Sequence, residues 1–372
     1  MLDAAGPWGT GAFTLVEGYS SIDDERATIR QEPLAATWLI RREDRTPRVR
    51  LVANPDYWDT SRGPHLKEVV FRNDVPPAQA LDLVCTTEGE VDILTEVSPA
   101  DAARVEASEH AKLVAIDAIR TVVGVVNRHA EGLPFADRRA RQALNLAVDR
   151  DAVVREALFG RAVPLAGLSP TSASSWLHRL SPYPHDPSRA AKLWEEAGGG
   201  GGRTRPIRIA AWGATEPVAR RVAADLRGSL GVDAEVTVVR GPDEIDARRR
   251  LAEEDRPRDW DLLILQQGAQ AADAPPLEQH RAFVGETGEF RAGPVVPEFE
   301  ALYGELMRQI SAAGLAEVSR RIDRFVFDEA LVLFLCAPQA LYAVNRHVDF
   351  TPYCTTFELA ECRVGRGHWS RR

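Results

Sequence analysis

A regular alternation of strand-like and helix-like segments over residues 206–265 places the strongest constraint on the fold of this chain. The runs PIRIAAW and DAEVTVV are short and rich in β-branched residues, as strands are, and the segment PVARRVAADLRGSLG lies between them. In that segment Val218, Val222 and Leu226 recur on one face of a helix. An Arg-rich helix is predicted near Ile245 to Glu254, and WDLLIL is predicted as a third strand. This alternation predicts a sheet with helical crossovers, and therefore an α/β protein.

Length and charge narrow the class of protein further. The 372 residues are enough for two or three compact lobes. Lys and Arg number 46 against 55 Asp and Glu, a net charge of −9, so we expect no nucleic-acid partner. The sequence has no run of eighteen apolar residues, which predicts no membrane-spanning helix, and its first residues show no signal-peptide pattern.

Cysteine and histidine spacing predicts neither a metal site nor a cofactor. The four cysteines form no CxxC pair and the eight histidines form no HxxxH or HExxH pair. Cys354 and Cys362 lie close enough in sequence for a disulfide, but spacing does not show whether their Cα atoms approach each other. Free thiols and a disulfide both remain open.

The segment LPFADRRARQALNLAVDRDAV, residues 133–153, concentrates arginine and aspartate. Its apolar residues recur at helical spacing, and Asp137 and Asp149 stand where helix N-caps are expected. Arg138, Arg139 and Arg141 lie mostly off that apolar stripe and have no aromatic stacking partners. We therefore expect a solvated helix face rather than an RNA clamp.

Six segments, in order along the chain, resemble the family 5 extracellular solute-binding proteins, which are the oligopeptide and dipeptide receptors of ABC importers. The resemblance is carried by GTGAF (9–13), NPDYW (54–58), GEVDI (89–93), Asn127 with PFADRRARQAL and AVDR (134–150), the DPSRAAKLWEEAG helix (186–198), and AVN with Val348 (343–348). The resemblance implies an α/β, two-lobed periplasmic-binding-protein-like fold (type II, cluster C-like), in which each lobe is a mixed sheet flanked by helices.

The resemblance also implies a domain plan. Residues 1–126 and 342–372 are expected to form an incomplete lobe I, and residues 127–341 lobe III, the ligand-closing lobe, with a flexible Gly connector at 198–202. Strands around Thr121–Asn127 and Tyr342–Asn345 are expected to bend as a hinge. Relative to the family, the N-terminal strands and a small extra lobe are missing, so we expect an N-terminally truncated chain, and SSIDDERATIRQEP (20–33) resembles an inserted surface loop.

By this resemblance the chain is expected to be a monomeric, non-enzymatic substrate-binding protein of an ABC importer. It would capture a peptide or another polar small molecule between its lobes and deliver it to membrane permease subunits, in the periplasm or another extracytoplasmic space. Two alternatives remain: a solute-sensing domain of a transcription regulator, and a solute-binding fold recruited to small-molecule biosynthesis. Catalysis has little support, because the stretch from Gly167 to Thr171 lacks the last glycine of a Gly-x-Ser-x-Gly motif.

The expected ligand contacts follow the third strand. Peptide-binding members of the family carry a GW-aDy-DP loop there, in which an aspartate holds the α-amino group of the peptide. With Asp273 on the last aspartate of that loop, Gln267 takes the place of the tryptophan and Gln270 that of the amine-binding aspartate. A neutral amide suits hydroxyls or amides better than an ammonium group, which favours a ligand other than a conventional peptide. Two alternatives remain open: a shifted register in which Asp273 supplies the charge, and a variable loop without ligand contact. The full set of expected contacts is Asn127, Trp212, Gln266, Gln267, Gln270 and Asp273, with a core position as the alternative for Trp212.

Overall fold

The computed structural model describes residues 9–18, 47–117, 120–168, 180–200, 204–240, 259–268, 277–353 and 358–372. The chain divides into two compact units, residues 1–116 with 340–372 (unit 1) and residues 117–339 (unit 2). The chain passes between them twice, after Ile116 and after Gln339. The lobe boundaries expected from the sequence differ slightly from these units. Residues 117–126, expected in lobe I, lie in unit 2, and residues 340 and 341, expected in lobe III, lie in unit 1.

Unit 1 begins with a three-stranded antiparallel sheet. Its strands, in the order β1-β2-β3, are β1 (Phe13–Glu17), β2 (Arg48–Ala53) and β3 (Glu68–Arg72). Asn54 ends β2, because its Nδ2 donates to the Gly11 carbonyl oxygen at 2.9 Å and its Oδ1 accepts from the Asp56 amide at 3.0 Å. The NPDYW motif is therefore a turn that holds β1 against β2.

After this sheet, unit 1 continues with a helix that packs against short strands. It contains α1 (Pro77–Thr86), β4 (Ile93–Leu94), α2 (Ala102–Glu106) and β5 (Ala111–Asp117). Proline in its first turn favours the start of α1. Leu81 and Val84 of this helix are buried in one cluster with Val105 and Leu341.

Unit 2 is built on a mixed sheet. Its strands are β6 (Arg120–Val126), β7 (Ala162–Pro164), β8 (Ile207–Trp212), β9 (Ala234–Val239), β10 (Leu262–Gly268) and the first part of β11 (Val332–Asn345). The order is β11-β6-β10-β8-β9, with β7 on β11. Strand β10 is antiparallel to β6 and parallel to β8, and β8 is parallel to β9.

Helices cover both faces of this sheet. They are α3 (Arg138–Ala147), α4 (Arg150–Ala152), α5 (Pro187–Glu196), α6 (Glu216–Leu230), α7 (Leu277–Val284), α8 (Pro297–Leu306) and α9 (Ala312–Asp328). Because successive strand residues point to opposite faces, Val122 and Val126 of β6 join a core with α3, α5 and α6. Val123 and Val125 join a second core with residues of α7, α8 and α9. The buried, uniformly apolar strands are what a sheet covered on both faces requires.

From Ala340 onward β11 belongs to unit 1, where Ala343 and Val344 pair with β4. The antiparallel pair β12 (Val348–Asp349) and β13 (Arg363–Val364) follows. Asp92 Oδ1 accepts from Asn345 Nδ2 at 3.2 Å, His368 Nε2 at 3.0 Å and Trp369 Nε1 at 3.0 Å. Asp92 thus joins the GEVDI and AVN motifs to the last residues of the chain.

Two expectations about local structure change. The sequence predicts a buried strand at LVLFLC (331–336) and a separate extended segment from Leu341, whereas residues of both form the single strand β11, with a bulge between Phe334 and Cys336. Gly199 and Gly200 are not merely a flexible connector, since a Cβ would lie 2.3 Å from Trp194 Cε2 at Gly199 and 2.8 Å from Glu195 Cγ at Gly200. The predicted helix near Ile245–Glu254, the loop 20–33 and Gly201–Gly202 lie outside the described residues.

Candidate ligand-binding site

Gln266 and Gln267 lie near the carboxyl end of β10, opposite Val122 and Thr121 of β6. Both glutamines are half-buried. The Thr121 hydroxyl donates to the Gln267 carbonyl oxygen at 3.4 Å. Since neighbouring strand residues point to opposite faces, the two side chains lie on opposite faces of the sheet.

Trp212 ends β8, the parallel neighbour of β10. Ala211 pairs with Ile264, so Trp212 and Gln266 reach the same edge of the sheet. This is the edge where the parallel strands β8, β9 and β10 present their carboxyl ends, which is where open α/β sheets generally bind ligands. The Thr215 hydroxyl, which sequence reasoning missed, joins the two strands there by contacting the carbonyl oxygens of Trp212 and Ile264, each at 2.9 Å.

The Trp212 ring itself lies in the core of unit 2. Its exposed fraction is 6%, and it contacts Phe290 edge-on with ring centroids 6.1 Å apart. The position matches the core alternative.

The structure does not bring Asn127 to this edge. Asn127 Nδ2 donates to the Trp260 carbonyl oxygen at 3.1 Å, and its Oδ1 accepts from the His129 amide at 3.1 Å. Trp260 precedes the amino end of β10, so Asn127 and Gln266 are separated by about 17 Å at about 3.3 Å per strand residue. Asn127 organises a turn within unit 2. Gln270 and Asp273 lie outside the described residues.

The amino end of β10 carries a charge cluster that sequence reasoning also missed. The fully buried carboxylate of Asp261 accepts hydrogen bonds from Arg205 Nη1 at 2.6 Å and Arg208 Nη2 at 2.9 Å. Burial raises the pKa of Asp261, but the hydrogen bonds from these two arginines outweigh burial and lower that pKa to about 2. All the acceptor capacity of this carboxylate is used within unit 2, so it serves the fold.

In the arginine-rich segment, residues 133–153, the expectation of a solvated helix face is wrong for one arginine. Arg138 and Arg139 are exposed and pair with Glu329 and Asp137, as a solvated face requires. Arg141, however, is only 5% exposed. Its guanidinium donates to the main-chain oxygens of Phe135, Ala136, Glu329 and Ala330. Arg141 therefore closes the carboxyl end of α9, where helix carbonyl groups lack partners.

Among the described residues, neither the thiols nor the potential metal-ligating side chains form a reactive centre. Cys85, Cys336 and Cys362 are free and buried there. Burial raises the pKa of the Cys336 thiol to about 12 and that of Cys362 to about 11. Cys354 lies outside the described residues, and the described part of the chain contains no group of three or more His, Cys, Asp or Glu placed to hold a metal ion. In the same part of the chain, every helix is too short or too polar to cross a membrane.

Solved structures with this fold are solute-binding proteins. An ABC transporter substrate binding protein from Listeria monocytogenes superposes with a TM-score of 0.76 at 16% identity, over 96% of this chain and 67% of its own. NikA from Brucella suis, in complex with Fe(III)-EDTA, gives 0.74 at 19% identity, over 96% of this chain and 68% of its own. The expected two-lobed α/β fold class is confirmed by these likenesses.

The sequence profile of the bacterial extracellular solute-binding proteins, family 5 Middle, matches residues 38–287. The chain belongs to this family. It is 27% identical over 151 residues to the dipeptide-binding protein of Escherichia coli K12, a match that covers 41% of this chain and 27% of the relative. It is 29% identical over 145 residues to a probable di/tripeptide-binding protein of Pseudomonas aeruginosa, a match that covers 39% of this chain and 26% of the relative. The chain thus spans about a quarter of the length of these curated relatives.

Proposed function

We propose that this chain is the solute-capturing part of an ABC importer, which binds a small polar or peptide-like molecule and presents it to permease subunits. The observation that carries the proposal is the membership in solute-binding family 5 together with a likeness to an ABC transporter substrate binding protein over 96% of the chain. The family description, extracellular, favours an extracytoplasmic receptor over a transcription regulator or a biosynthetic protein.

The proposed ligand contacts lie at the carboxyl edge of the unit 2 sheet. The proposed set is Gln266 and Gln267 on β10, Gln270 and Asp273 after it, Trp212 at the end of β8, and Asn127, which lies away from this edge. The half-buried state of both strand glutamines and their position at that edge support it. Asn127 is the weakest member, because both polar atoms of its side chain already have partners.

The proposed ligand class follows from the residue types. Relatives are named for dipeptides, di- and tripeptides and glutathione, and solved neighbours hold Met-Leu, Fe(III)-EDTA or Ni(L-His)2. An amide at Gln270 in place of a carboxylate weakens the hold on a free α-ammonium group, since charge-assisted hydrogen bonds are about twice as strong as neutral ones. We therefore favour ligands that present amides, hydroxyls or carboxylates at this point.

The units are proposed to move as a binding protein does. Their two connections, after Ile116 and after Gln339, are the places where main-chain rotation would reorient them. The absence of enzymatic activity is proposed in line with the family description, solute-binding proteins. A monomer is proposed as well. Size-exclusion chromatography with light scattering tests the monomer, and ligand recovered chemically unchanged after binding tests the absence of turnover.

The ligand experiment is a thermal-shift panel followed by calorimetry on the full chain. Free dipeptides, N-acetylated dipeptides, glutathione and Ni(L-His)2 are the probes. We expect an N-acetylated dipeptide to bind at least as well as its free counterpart. Gln267→Ala should weaken binding about five-fold, the loss of one neutral hydrogen bond. Gln142→Ala is the matched control, because its amide donates to the Asp328 carbonyl oxygen on α9 instead.

Binding of free dipeptides alone would overturn the amide argument and leave the receptor proposal intact. Retention of affinity in both Gln267→Ala and Gln270→Ala would remove the site from this edge. A chain that binds none of the probes, and none of a wider metabolite set by native mass spectrometry, would contradict the receptor proposal itself.

A further inference from the structure

The three-stranded sheet of unit 1 has one face made of apolar side chains alone. Directly paired strand residues point to the same side of a sheet, and successive residues point to opposite sides. The register of β1 with β2 and of β2 with β3 therefore places one set of seven residues on a common face. We call this set the apolar face, and its members are Phe13, Leu15, Val49, Leu51, Ala53, Val69 and Phe71.

The charged side chains of this sheet lie on its opposite face. Arg50 of β2 pairs there with Glu68 of β3 at 3.0 Å, and Arg72 of β3 pairs with Asp74 at 2.7 Å. An antiparallel sheet with one charged and one apolar face packs the apolar face against other parts of the protein and leaves the charged face in water. The β1–β3 sheet therefore needs a cover over its apolar face.

The described residues do not complete a core over the apolar face. Each of its seven residues is half-buried, and none reaches the burial of a core residue. Phe13 contacts a small cluster of Ala12, Tyr57 and Ala360. The other buried clusters formed by described residues contain none of the seven. A further apolar segment is needed to bury this face.

The connection between β1 and β2 contains such a segment. Residues 34–40, LAATWLI, carry no charge, whereas the stretches on both sides, 23–32 and 41–45, are rich in charged residues. This run lies outside the described residues. Because removing tryptophan, leucine and isoleucine side chains from water is favourable, we expect the run to be buried against an apolar surface.

Both ends of this connection lie at the sheet itself. Gly18 follows β1 with a φ of 86°, and a Cβ there would lie 1.8 Å from the carbonyl oxygen of Arg48, the first residue of β2. Ile40 precedes Pro47 by seven positions, which allows a reach of up to roughly 23 Å. The six residues of β2 span only about 20 Å. The run can therefore lie across the apolar face, and its tether keeps it at a high effective concentration there.

We propose that residues 34–40 bind the apolar face of the β1–β3 sheet, with Trp38 as the central contact. The connection between β1 and β2 is then an intramolecular cover for unit 1. The charged stretches on either side of the run stay in water and limit the contact to residues 34–40. This interface shares no residue with the solute contacts proposed above.

The test labels the full chain with 5-fluorotryptophan and follows the ¹⁹F resonance of Trp38, one of eight tryptophans. Trp38→Phe assigns that resonance, and if this variant does not fold, phenylalanine variants of the other tryptophans assign it by exclusion. Val69→Ala, on the apolar face, should move the Trp38 resonance by more than its line width. Val70→Ala is the matched control and should leave the resonance in place, because Val70 is adjacent on β3 and points to the charged face. If Val69→Ala does not fold, Val49→Ala on the apolar face replaces it.

A double-mutant cycle gives a second readout, since side chains in contact are coupled and distant ones are not. In urea denaturation, the effect of Val69→Ala should be at least halved in the Trp38→Ala background, whereas the effect of Val70→Ala should be unchanged. Equal responses of the Trp38 resonance to the two valine variants, or additive effects of Trp38→Ala and Val69→Ala, would each overturn the proposal. A dimer in light scattering whose dissociation on dilution moves the Trp38 resonance would assign the cover to a second copy of the chain and would overturn it as well.

Discussion

Asn145 and Arg150 form a buried pair in which Asn145 Oδ1 accepts a hydrogen bond from Arg150 Nη2 at 2.9 Å. The same Oδ1 accepts from the Phe334 amide at 3.1 Å, and Arg150 Nε donates to the Phe334 carbonyl oxygen at 2.8 Å. Two consecutive short helices are thereby attached to β11. Burial lowers the pKa of Arg150 to about 10, so it is still charged at neutral pH although its hydrogen-bond partners are uncharged oxygen atoms.

Arg150→Met should lower the free energy of unfolding by about 3 kcal/mol or more, because it leaves several buried oxygens unpaired. Arg155→Met is the control, since Arg155 is exposed and its partner among the described residues is the exposed Glu156, and its effect should stay within about 0.5 kcal/mol. Urea denaturation followed by circular dichroism measures both. Equal effects would show that the buried guanidinium contributes nothing beyond a surface arginine.

The depressed pKa of Asp261 predicts acid sensitivity. The pKa lies near 2 in the folded chain against 3.8 ordinarily. The stabilisation is therefore complete above about pH 4 and is lost as the pH falls toward 2, with a magnitude of up to about 2 kcal/mol. The difference in unfolding free energy between the native chain and Asp261→Asn should shrink over that range, as measured by denaturation at stepwise pH. A pH-independent difference for Asp261→Asn would contradict the argument.

Phe159 is exposed at 59% and has a φ of 52°, a left-handed conformation that costs a side-chain-bearing residue about 1 kcal/mol. Phe159→Gly should therefore be more stable than Phe159→Ala by about 1 kcal/mol, because both lose the ring and only glycine relieves the main-chain strain. Thermal unfolding of the two variants measures the difference. An alanine variant as stable as the glycine variant would mean that the strain is absent.

Gly199→Ala should destabilise unit 2 by about 2–3 kcal/mol, since the new methyl group overlaps the buried Trp194 ring. Gly228→Ala in α6 is the matched change at a site with open space, and it should stabilise by about 0.5–1 kcal/mol. Chemical denaturation of the pair gives opposite signs if the turn is as tightly packed as the structure has it. A tolerated Gly199→Ala would contradict that packing.

Local elements followed from the sequence because their signals are local. The stretch PAQALDLVCT predicts a helix from about Pro77 to Thr86, and the observed helix α1 has those bounds. Asp137 and Asp149 cap helices as expected. Capping needs only an acceptor side chain within three residues of an amide. The buried state of Arg141 could not be predicted this way, because its partners Glu329 and Ala330 lie 188 and 189 positions further along the chain.

The residues of the candidate site were likewise predicted only in part. The sequence pointed to the glutamines at the end of β10, and their placement at the carboxyl edge beside β8 agrees with the strand alternation. It also proposed Asn127, whose partners at Trp260 and His129 place it at the other end of the strand. Direction along a strand is set by antiparallel pairing, which no local pattern records.

The sequence alone determined the α/β class, the positions of most strands and helices, and the family, since periodicity, capping residues and ordered motifs are properties of neighbouring residues. Only the tertiary structure decided which polar groups are buried and which remain without partners, such as the Trp194 indole N–H. Burial depends on what distant segments bring to a residue. Arg139 is therefore exposed and Arg141 buried, although the two have similar sequence contexts.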